Sequence, residues 1–257
     1  MDSTEYVNRL FNLSGHIGIV TGASRGLGLG TARVLAQSGA KVYNFDKIPR
    51  EMEEMSVDNI VDIEVDLTQP DKVKDMVGKI VRLEGHLDFL INNAGITIKC
   101  RAEDFPSEDY QKIQLINLEA VLELCKICYP YLKKSPFIGR IINISSMAAH
   151  MGFTEVVPYC MTKSGIIGLT RGLAEEWKKE PILVNSVAPG WFLTKLNESM
   201  FEKNPNRKQA ALGKIALGRF GEPKEIGYMM LFLLSGASVY LTGQDFAVDG
   251  GALIHGF

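Results

Sequence analysis

Residues 17–28 read Ile17-Gly18-Ile19-Val20-Thr21-Gly22-Ala23-Ser24-Arg25-Gly26-Leu27-Gly28. A short apolar run, Ile17–Thr21, gives way to glycines, and helical spacing then runs from Leu27 to Gln37. The segment therefore reads as strand, turn, helix. Glycines here permit a tight turn and let the backbone approach a pyrophosphate, which can rest on free N–H groups at a helix start. Alone, the pattern is equally well a tight turn before a helix. Its context decides: Lys41-Val42-Tyr43-Asn44-Phe45 reads as a second strand and ends at Asp46, 20 residues after Gly26. A carboxylate there can accept hydrogen bonds from ribose hydroxyls. The T-G-x-x-x-G-x-G spacing fits the general dinucleotide fingerprint only loosely.

The same alternation continues along the chain. Strands are expected at Ile60–Val65, Leu87–Ile91, Gly139–Ile144, Ile182–Val187 and Asp245–Val248. Helices are expected at Asp71–Leu83, Glu108–Leu132 (bent or ended by Pro130), Val157–Lys178 and Glu225–Leu234. Continuous Val/Ile/Leu strands alternating with helices predict an α/β, doubly wound Rossmann fold, with a parallel sheet of about seven strands covered on both faces. No linker-like stretch or repeat divides residues 1–257, so one domain is expected. The polar segment Lys195–Lys214 interrupts the rhythm just after Pro189-Gly190. It is either a surface excursion or, as its position favours, a substrate lid that opens at Trp191 and spans 191–214.

Composition bounds the function. Hydrophobic residues at 46% and charged residues at 23% are ordinary for a globular protein with a sizeable core. A formal net charge of −2 gives no reason to expect nucleic acid or an anionic membrane as partner. The acidic start Met1-Asp2-Ser3-Thr4-Glu5 has no secretory pattern, and Tyr228 to Leu234 is too short to span a bilayer. A cytoplasmic location is the expectation. Cys125 and Cys128 form a lone C-x-x-C on an apolar helix stretch, with no second pair to complete a zinc site. Core packing of reduced thiols is expected instead, with no metal.

Five separated motifs resemble the short-chain dehydrogenase/reductase family of the shorter, single-domain type, over Leu13 to about Gly251. They are Thr21-Gly22-(x3)-Gly26-x-Gly28, Asn92-Asn93-Ala94-Gly95, Tyr159-x-x-x-Lys163 preceded by Ile144-Ser145-Ser146, Pro189-Gly190, and Val248-Asp249-Gly250-Gly251. The resemblance implies a nicotinamide cofactor held by Gly22, Ser24, Arg25, Gly26, Leu27, Gly28 and Asp46. It adds Asp66 and Leu67 flanking the adenine, Asn93, Ala94 and Gly95 in the groove, Tyr159 and Lys163, and Pro189, Gly190 and Thr194 near the nicotinamide.

Read as chemistry, ketone reduction leaves an alkoxide that must be protonated, so a group of suitable pKa must stand at the oxygen. A free tyrosine, with pKa about 10, needs its anion stabilised. Four residues on a helix place Tyr159 and Lys163 on one face, where an ammonium can lower the phenol's pKa. Such a pair alone is usually a solvated helix face. Ser146, 13 residues upstream at the end of a strand, changes that reading, since its hydroxyl can donate to a carbonyl oxygen. Ser145 competes, and the family spacing selects Ser146. Asn117, a polar residue in an apolar helix stretch, is either a core amide bonded to backbone or, by the resemblance, the fourth catalytic residue, which holds a proton-relaying water. His150 follows Ser146 as either a loop residue or a substrate contact.

The expected function is thus hydride transfer between a nicotinamide cofactor and a secondary alcohol or ketone. Asp46 favours NAD(H), while Arg25 and Lys47 leave NADP(H) as the second option. Overall appearance places the substrate with sugar acids or polyols, as for gluconate and deoxygluconate dehydrogenases. Trp191 and Phe192 are expected to wall the substrate, with Lys195 as a cation. The alternative is a 3-oxoacyl thioester reductase. A nucleotide-sensing scaffold without chemistry would be expected to lack Tyr159 or Lys163, and both are present. Surplus apolar residues on the two long helices give one surface, and the C-terminal segment Leu241–Phe257, apolar at its end Ala252–Phe257, gives a second with the helix Glu225–Leu234; together they predict a homotetramer.

Overall fold

The computed structural model describes residues 2–50, 59–194 and 204–254. Its centre is an all-parallel sheet in the order β3-β2-β1-β4-β5-β6-β7. The strands are β1 (Ile17–Thr21), β2 (Lys41–Asp46), β3 (Ile60–Glu64), β4 (Phe89–Asn92), β5 (Gly139–Ile144), β6 (Ile182–Pro189) and β7 (Asp245–Val248). Strand order reverses between β1 and β4, which opens a crevice at the carboxyl edge where ligands of such sheets bind. In register, Val20 faces Asn44 on one side and Ile91 on the other, which aligns the ends of β1, β2 and β4 along that crevice.

Burial is complete on β1, β4 and β5, as parallel strands covered on both faces require. One apolar cluster joins Ile19, Phe45, Leu90 and Ile141 to helices α3 (Pro70–Glu84), α5 (Ala120–Leu132) and α6 (Val157–Glu176). The other joins Val20, Phe89, Ile91 and Ile142 to α2 (Gly26–Gln37) and α8 (Pro223–Leu234). Helices α2 and α8 meet through glycines: a Cβ at Gly30 would stand 2.5 Å from Pro223, and one at Gly227 2.6 Å from Val34. Cys125 and Cys128 lie wholly inside the first cluster, where burial pushes the Cys125 thiol up to about 12.

Three elements differ from the reading by periodicity. Ser3–Phe11 forms a helix, α1, that buries no residue, so no apolar stripe marks it. The stretch expected as one helix from Glu108 to Leu132 is α4 (Ser107–Gln114), a π-helical turn (Leu115–Glu119) and α5, which accommodates Pro130 internally. Within the lid segment, Pro205–Leu212 is helical (α7), while residues 195–203, including Lys195, lie outside the described residues.

Candidate active site

The turn after β1 is fixed from beneath by side chains. Asn44, fully buried on β2, accepts from the Ala23 N–H at 2.9 Å and donates to Ser24 Oγ and to Asp62 Oδ1, each at 2.9 Å. Ser24 turns its hydroxyl inward, to the Ile48 carbonyl at 2.8 Å, so only its backbone faces the turn. Asn93 donates to the carbonyls of Thr21 and Gly22 at 2.9 and 3.1 Å, and Thr21 Oγ1 accepts from the Asn93 and Ala94 N–H groups. These bonds tie the end of β4 to the glycine turn. Asn92 meanwhile donates to Asn143 at 2.8 Å across β4 and β5.

Two glycines are required here. Gly22 has φ +66°, in the left-handed region, and a Cβ on Gly28 would stand 2.2 Å from the Gly22 carbonyl oxygen. Helix α2 then begins with no side-chain cap, which leaves its first N–H groups available to an anion. A groove of about 470 Å³ runs beside it, lined by Gly22, Arg25, Leu27, Gly28, Asp46, Asp66, Leu67, Asn93, Ala94 and Gly95 among others. A nicotinamide dinucleotide fits these groups: a cradle too tight for a Cβ, uncapped N–H donors, and a carboxylate at the end of β2. Gly26 approaches Thr194, whose methyl would lie 3.7 Å from a Cβ there. Gly190 is packed on Asp249, and its N–H donates to the Val248 carbonyl at 3.0 Å, so Pro189-Gly190 is joined to the end of β7.

The cations around Asp46 are mostly engaged. Lys47 pairs with Asp66 at 2.8 Å and Arg50 with Asp62 at 3.1 Å, whereas Arg25 is exposed on the groove. Burial acts to raise the Asp66 carboxyl, but Lys47 and Thr68 outweigh it and hold the group well below the usual carboxylate range. Asp46 itself accepts from the N–H groups of Ser24 at 3.2 Å and Lys47 at 2.7 Å.

At the carboxyl ends of β4 and β5 the four expected catalytic side chains stand near one another. Pro158 stands in the first turn of α6, and Tyr159 and Lys163 follow one turn apart, with Lys163 Nζ 5.7 Å from the Tyr159 ring centroid. Lys163 is 4% exposed and donates to the Ile144 carbonyl at 2.7 Å. Burial lowers its ammonium to about 8. Burial likewise raises the Tyr159 phenol above its ordinary value, opposed by a hydrogen bond with Ser146. The protein's own groups thus leave the phenol protonated at neutral pH, and the ammonium does not outweigh desolvation.

Ser146 caps the short 3₁₀ turn Met147–Ala149, its Oγ accepting from the Ala148 N–H at 3.0 Å. Ser145, its competitor, donates to Asp245 Oδ1 at 2.6 Å. Asp245, at the start of β7, also accepts from Ser186 Oγ at 2.5 Å and meets His150 Nε2 at 2.6 Å. His150 is therefore an anchor of the Ser146 loop to β7. Neither this link nor the edge-on contact of Phe153 with Trp191, ring centroids 6.1 Å apart, is signalled by local sequence, since each joins distant segments. Glu155, just before α6, is the only non-glycine with positive φ (65°) among the described residues, a strained conformation beside the site.

Asn117 lies in the π-helical turn and is 1% exposed. Its amide accepts from the Ile96 N–H and donates to the Ile96 carbonyl, both at 2.8 Å, and donates to Thr162 Oγ1 at 3.3 Å. Thr162 in turn donates to the Tyr159 carbonyl at 2.8 Å. A Cβ on Gly95 would meet Asn117 Oδ1 at 3.3 Å and Lys163 Nζ at 3.6 Å, so the two groups converge on Gly95. The side chain's hydrogen bonds are those of a backbone-bonded amide, at a position that also borders Lys163.

With this geometry in place, comparison with known proteins decides the family. Residues 22–252 match a family model described as enoyl-(acyl carrier protein) reductase. The chain belongs to the short-chain dehydrogenase/reductase family. It is 36% identical to a 3-oxoacyl-[acyl-carrier-protein] reductase of Thermotoga maritima, over 94% of this chain and 99% of that protein. It is 33% identical to the 2-dehydro-3-deoxy-D-gluconate 5-dehydrogenase of Bacillus subtilis, over 96% and 98%. Among solved structures, the RhlG/NADP active-site complex of Pseudomonas aeruginosa superposes with a TM-score of 0.86 at 28% identity, covering 96% of this chain and 99% of that one. As a member, this dehydrogenase/reductase is an NAD(P)-dependent oxidoreductase acting on CH–OH groups. No helix among its described residues is long and apolar enough to cross a membrane.

Proposed function

We propose that the enzyme interconverts a sugar acid or polyol and its ketone with NAD(H) as preferred cofactor, using Ser146, Tyr159, Lys163 and Asn117. The observation that carries the reading is their convergence at the carboxyl edge, where Gly95 borders both Lys163 and the groove that reaches Asp46. Ser146 Oγ orients the substrate oxygen, and the Tyr159 phenol gives it a proton in reduction or takes one in oxidation. Lys163, held by Ile144, stabilises the phenolate, and Asn117, fixed by Ile96 and Thr162 near Lys163, holds a water that relays protons from Lys163 to solvent. A bound nicotinamide would supply or accept the hydride and, when oxidised, would add positive charge that favours the Tyr159 phenolate. The remaining assigned groove residues, from Gly22, Ser24, Arg25, Gly26, Leu27 and Gly28 to Pro189, Gly190 and Thr194, hold the cofactor.

For the cofactor, Asp46 lines the groove while Lys47 and Arg50 are already ion-paired, which leaves Arg25 as the cation free to meet a 2′-phosphate. NADP stands against this preference in the RhlG complex. For the substrate, the Bacillus relative's name supports the sugar-acid class, and Trp191 with Phe153 gives an aromatic wall, whereas Phe192, expected beside Trp191, is buried in the core against Gly221. Residues 191–214 act as the lid of a single catalytic domain. Exposed Leu115 and Leu122 on one surface, and Tyr240 and Ile254 on another, support two interfaces of a cytoplasmic homotetramer. Light scattering is expected to give four times 28.4 kDa, and a dilution-stable monomer would overturn the assembly.

A second reading, reduction of a 3-oxoacyl thioester, is favoured by the Thermotoga relative and the description of the family model. Steady-state assays of sugar acids, polyols and 3-oxoacyl thioesters with each cofactor separate the two. The highest kcat/KM is expected with a sugar acid or polyol and NAD(H). Preferential reduction of the thioester with NADPH would replace the first reading by the second.

A further inference from the structure

The amino edge of the sheet, opposite the catalytic groups, holds a buried cation without a counter-charge. Arg140, the second residue of β5, is 6% exposed. Its Nη2 donates to the Ser235 carbonyl, the cap of α8, at 3.1 Å, while Nε and Nη1, both closed to solvent, have no hydrogen-bond partner among the described residues. Asp88, the acid beside His16, serves other groups: it accepts from the Ile17 N–H at 2.7 Å and Ser135 Oγ at 2.5 Å, and meets His86 Nε2 at 3.1 Å. A guanidinium stays charged at any ordinary pH, even where burial lowers it to about 10 as here, and an unpaired buried charge is costly.

Arg140 lines a cavity of about 270 Å³ between α1, β5 and the end of α8. A second cation, Arg9 of α1, stands at its exposed rim. The His16 ring, whose Nδ1 is buried without a partner, stacks on Phe137 at 3.8 Å to form one wall. Leu10 and Val239 add apolar surface to the mouth. A cation at the floor, another at the rim and apolar walls between them define what can enter: an oxyanion on a short apolar group.

We propose that this cavity binds a small organic anion, its carboxylate or phosphate group seated on Arg140 and its apolar portion against Leu10, Phe137 and Val239. The site is independent of the catalytic reading, since it lies at the other end of β5 and shares no residue with it. Attraction to the uncompensated charge of Arg140 and to Arg9 supplies the affinity, and the apolar wall supplies the preference for a tail.

Calorimetric titration of the full chain with acetate, hexanoate and inorganic phosphate tests this, with NAD⁺ saturating so that the uncapped start of α2 is closed to the probes. Hexanoate is expected to bind wild type at millimolar concentration or tighter, at least tenfold better than acetate, with binding lost in Arg140→Met. Should Arg140→Met not fold, Leu10→Trp fills the mouth and is expected to block hexanoate while circular dichroism stays native. Absence of binding to wild type, equal binding by wild type and Arg140→Met, or no preference for hexanoate over acetate and phosphate would each overturn the proposal. Turnover by Arg140→Met is expected to match wild type.

Discussion

Two buried cations sit near opposite ends of β5 and show how differently one fold can treat a positive charge. Lys163 reaches the carboxyl end and gives its proton-bearing nitrogen to the Ile144 carbonyl, beside Tyr159 and Asn117. Arg140 lies at the amino end and leaves two nitrogens without partners. An ammonium can lose its charge when buried, and here burial brings it to about 8, close enough to neutrality to follow the chemistry of a neighbouring phenol. A guanidinium cannot, so its only answer to burial is a partner. The lysine end therefore reads as a place where protons move, and the arginine end as a place where a charge waits to be matched.

The largest expected effect breaks the proton-handling end. Tyr159→Phe removes the one acid–base hydroxyl while the ring keeps its space, and should lower kcat by roughly 10²–10⁴-fold with cofactor affinity near wild type. Turnover within tenfold of wild type, measured alongside cofactor binding, would place the proton donor elsewhere.

A second effect lies in stability. For Lys163 the folded-state value is lowered from 10.5 to about 8, so between those pH values the unfolded chain binds more protons than the native one. Wild-type stability therefore carries its full penalty below pH 8 and recovers as pH rises toward 10.5, by roughly 3 kcal/mol. Chemical denaturation of wild type and Lys163→Met across this window should show the difference shifting toward wild type by that order. A difference that stays constant with pH would mean the ammonium pays no burial penalty.

Cofactor choice is expected to respond less. Asp46→Ala deletes ribose hydrogen bonds and the repulsion of a 2′-phosphate together, and should lower kcat/KM for NADH by about tenfold or more while that for NADPH rises. A wild type that uses NADPH at least as well as NADH would overturn the role given to Asp46. The smallest change completes the comparison. Arg140→Met should alter stability by a margin that stays flat from pH 6 to 9, roughly the range over which a guanidinium cannot titrate.

Much of the fold was legible because the central strands are fully buried. β1 and β5 fall where continuous apolar runs place them, and the glycine turn and Tyr159/Lys163 spacing point to one edge of the sheet. Helix α1 was not legible, since a helix that buries nothing leaves no stripe to read. Nor was the web around Asp245, which gathers Ser145, Ser186 and His150 from segments 59 to 100 residues away, so no local pattern carries it. Arg140 likewise looked like an ordinary strand residue, because its isolation depends on what α1 and α8 fail to offer it.

The π-helical turn at Leu115–Glu119 works as a one-residue insertion in an otherwise regular rod. Its Ala120 N–H closes on the Leu115 carbonyl, five residues back, so everything after it is rotated by about 100° relative to an unbroken α-helix. Ile113 and Val121 can both face the interior across that break, while Asn117 falls inside the widened loop and points its amide at Ile96. Removing one residue from this turn would restore the regular ladder and leave α4 and α5 in frame, with Ile113 and Val121 still about two turns apart on one face. What would go is the widened loop, and with it the seat of the amide beside Lys163. A deletion that spares the packing is here a change of chemistry.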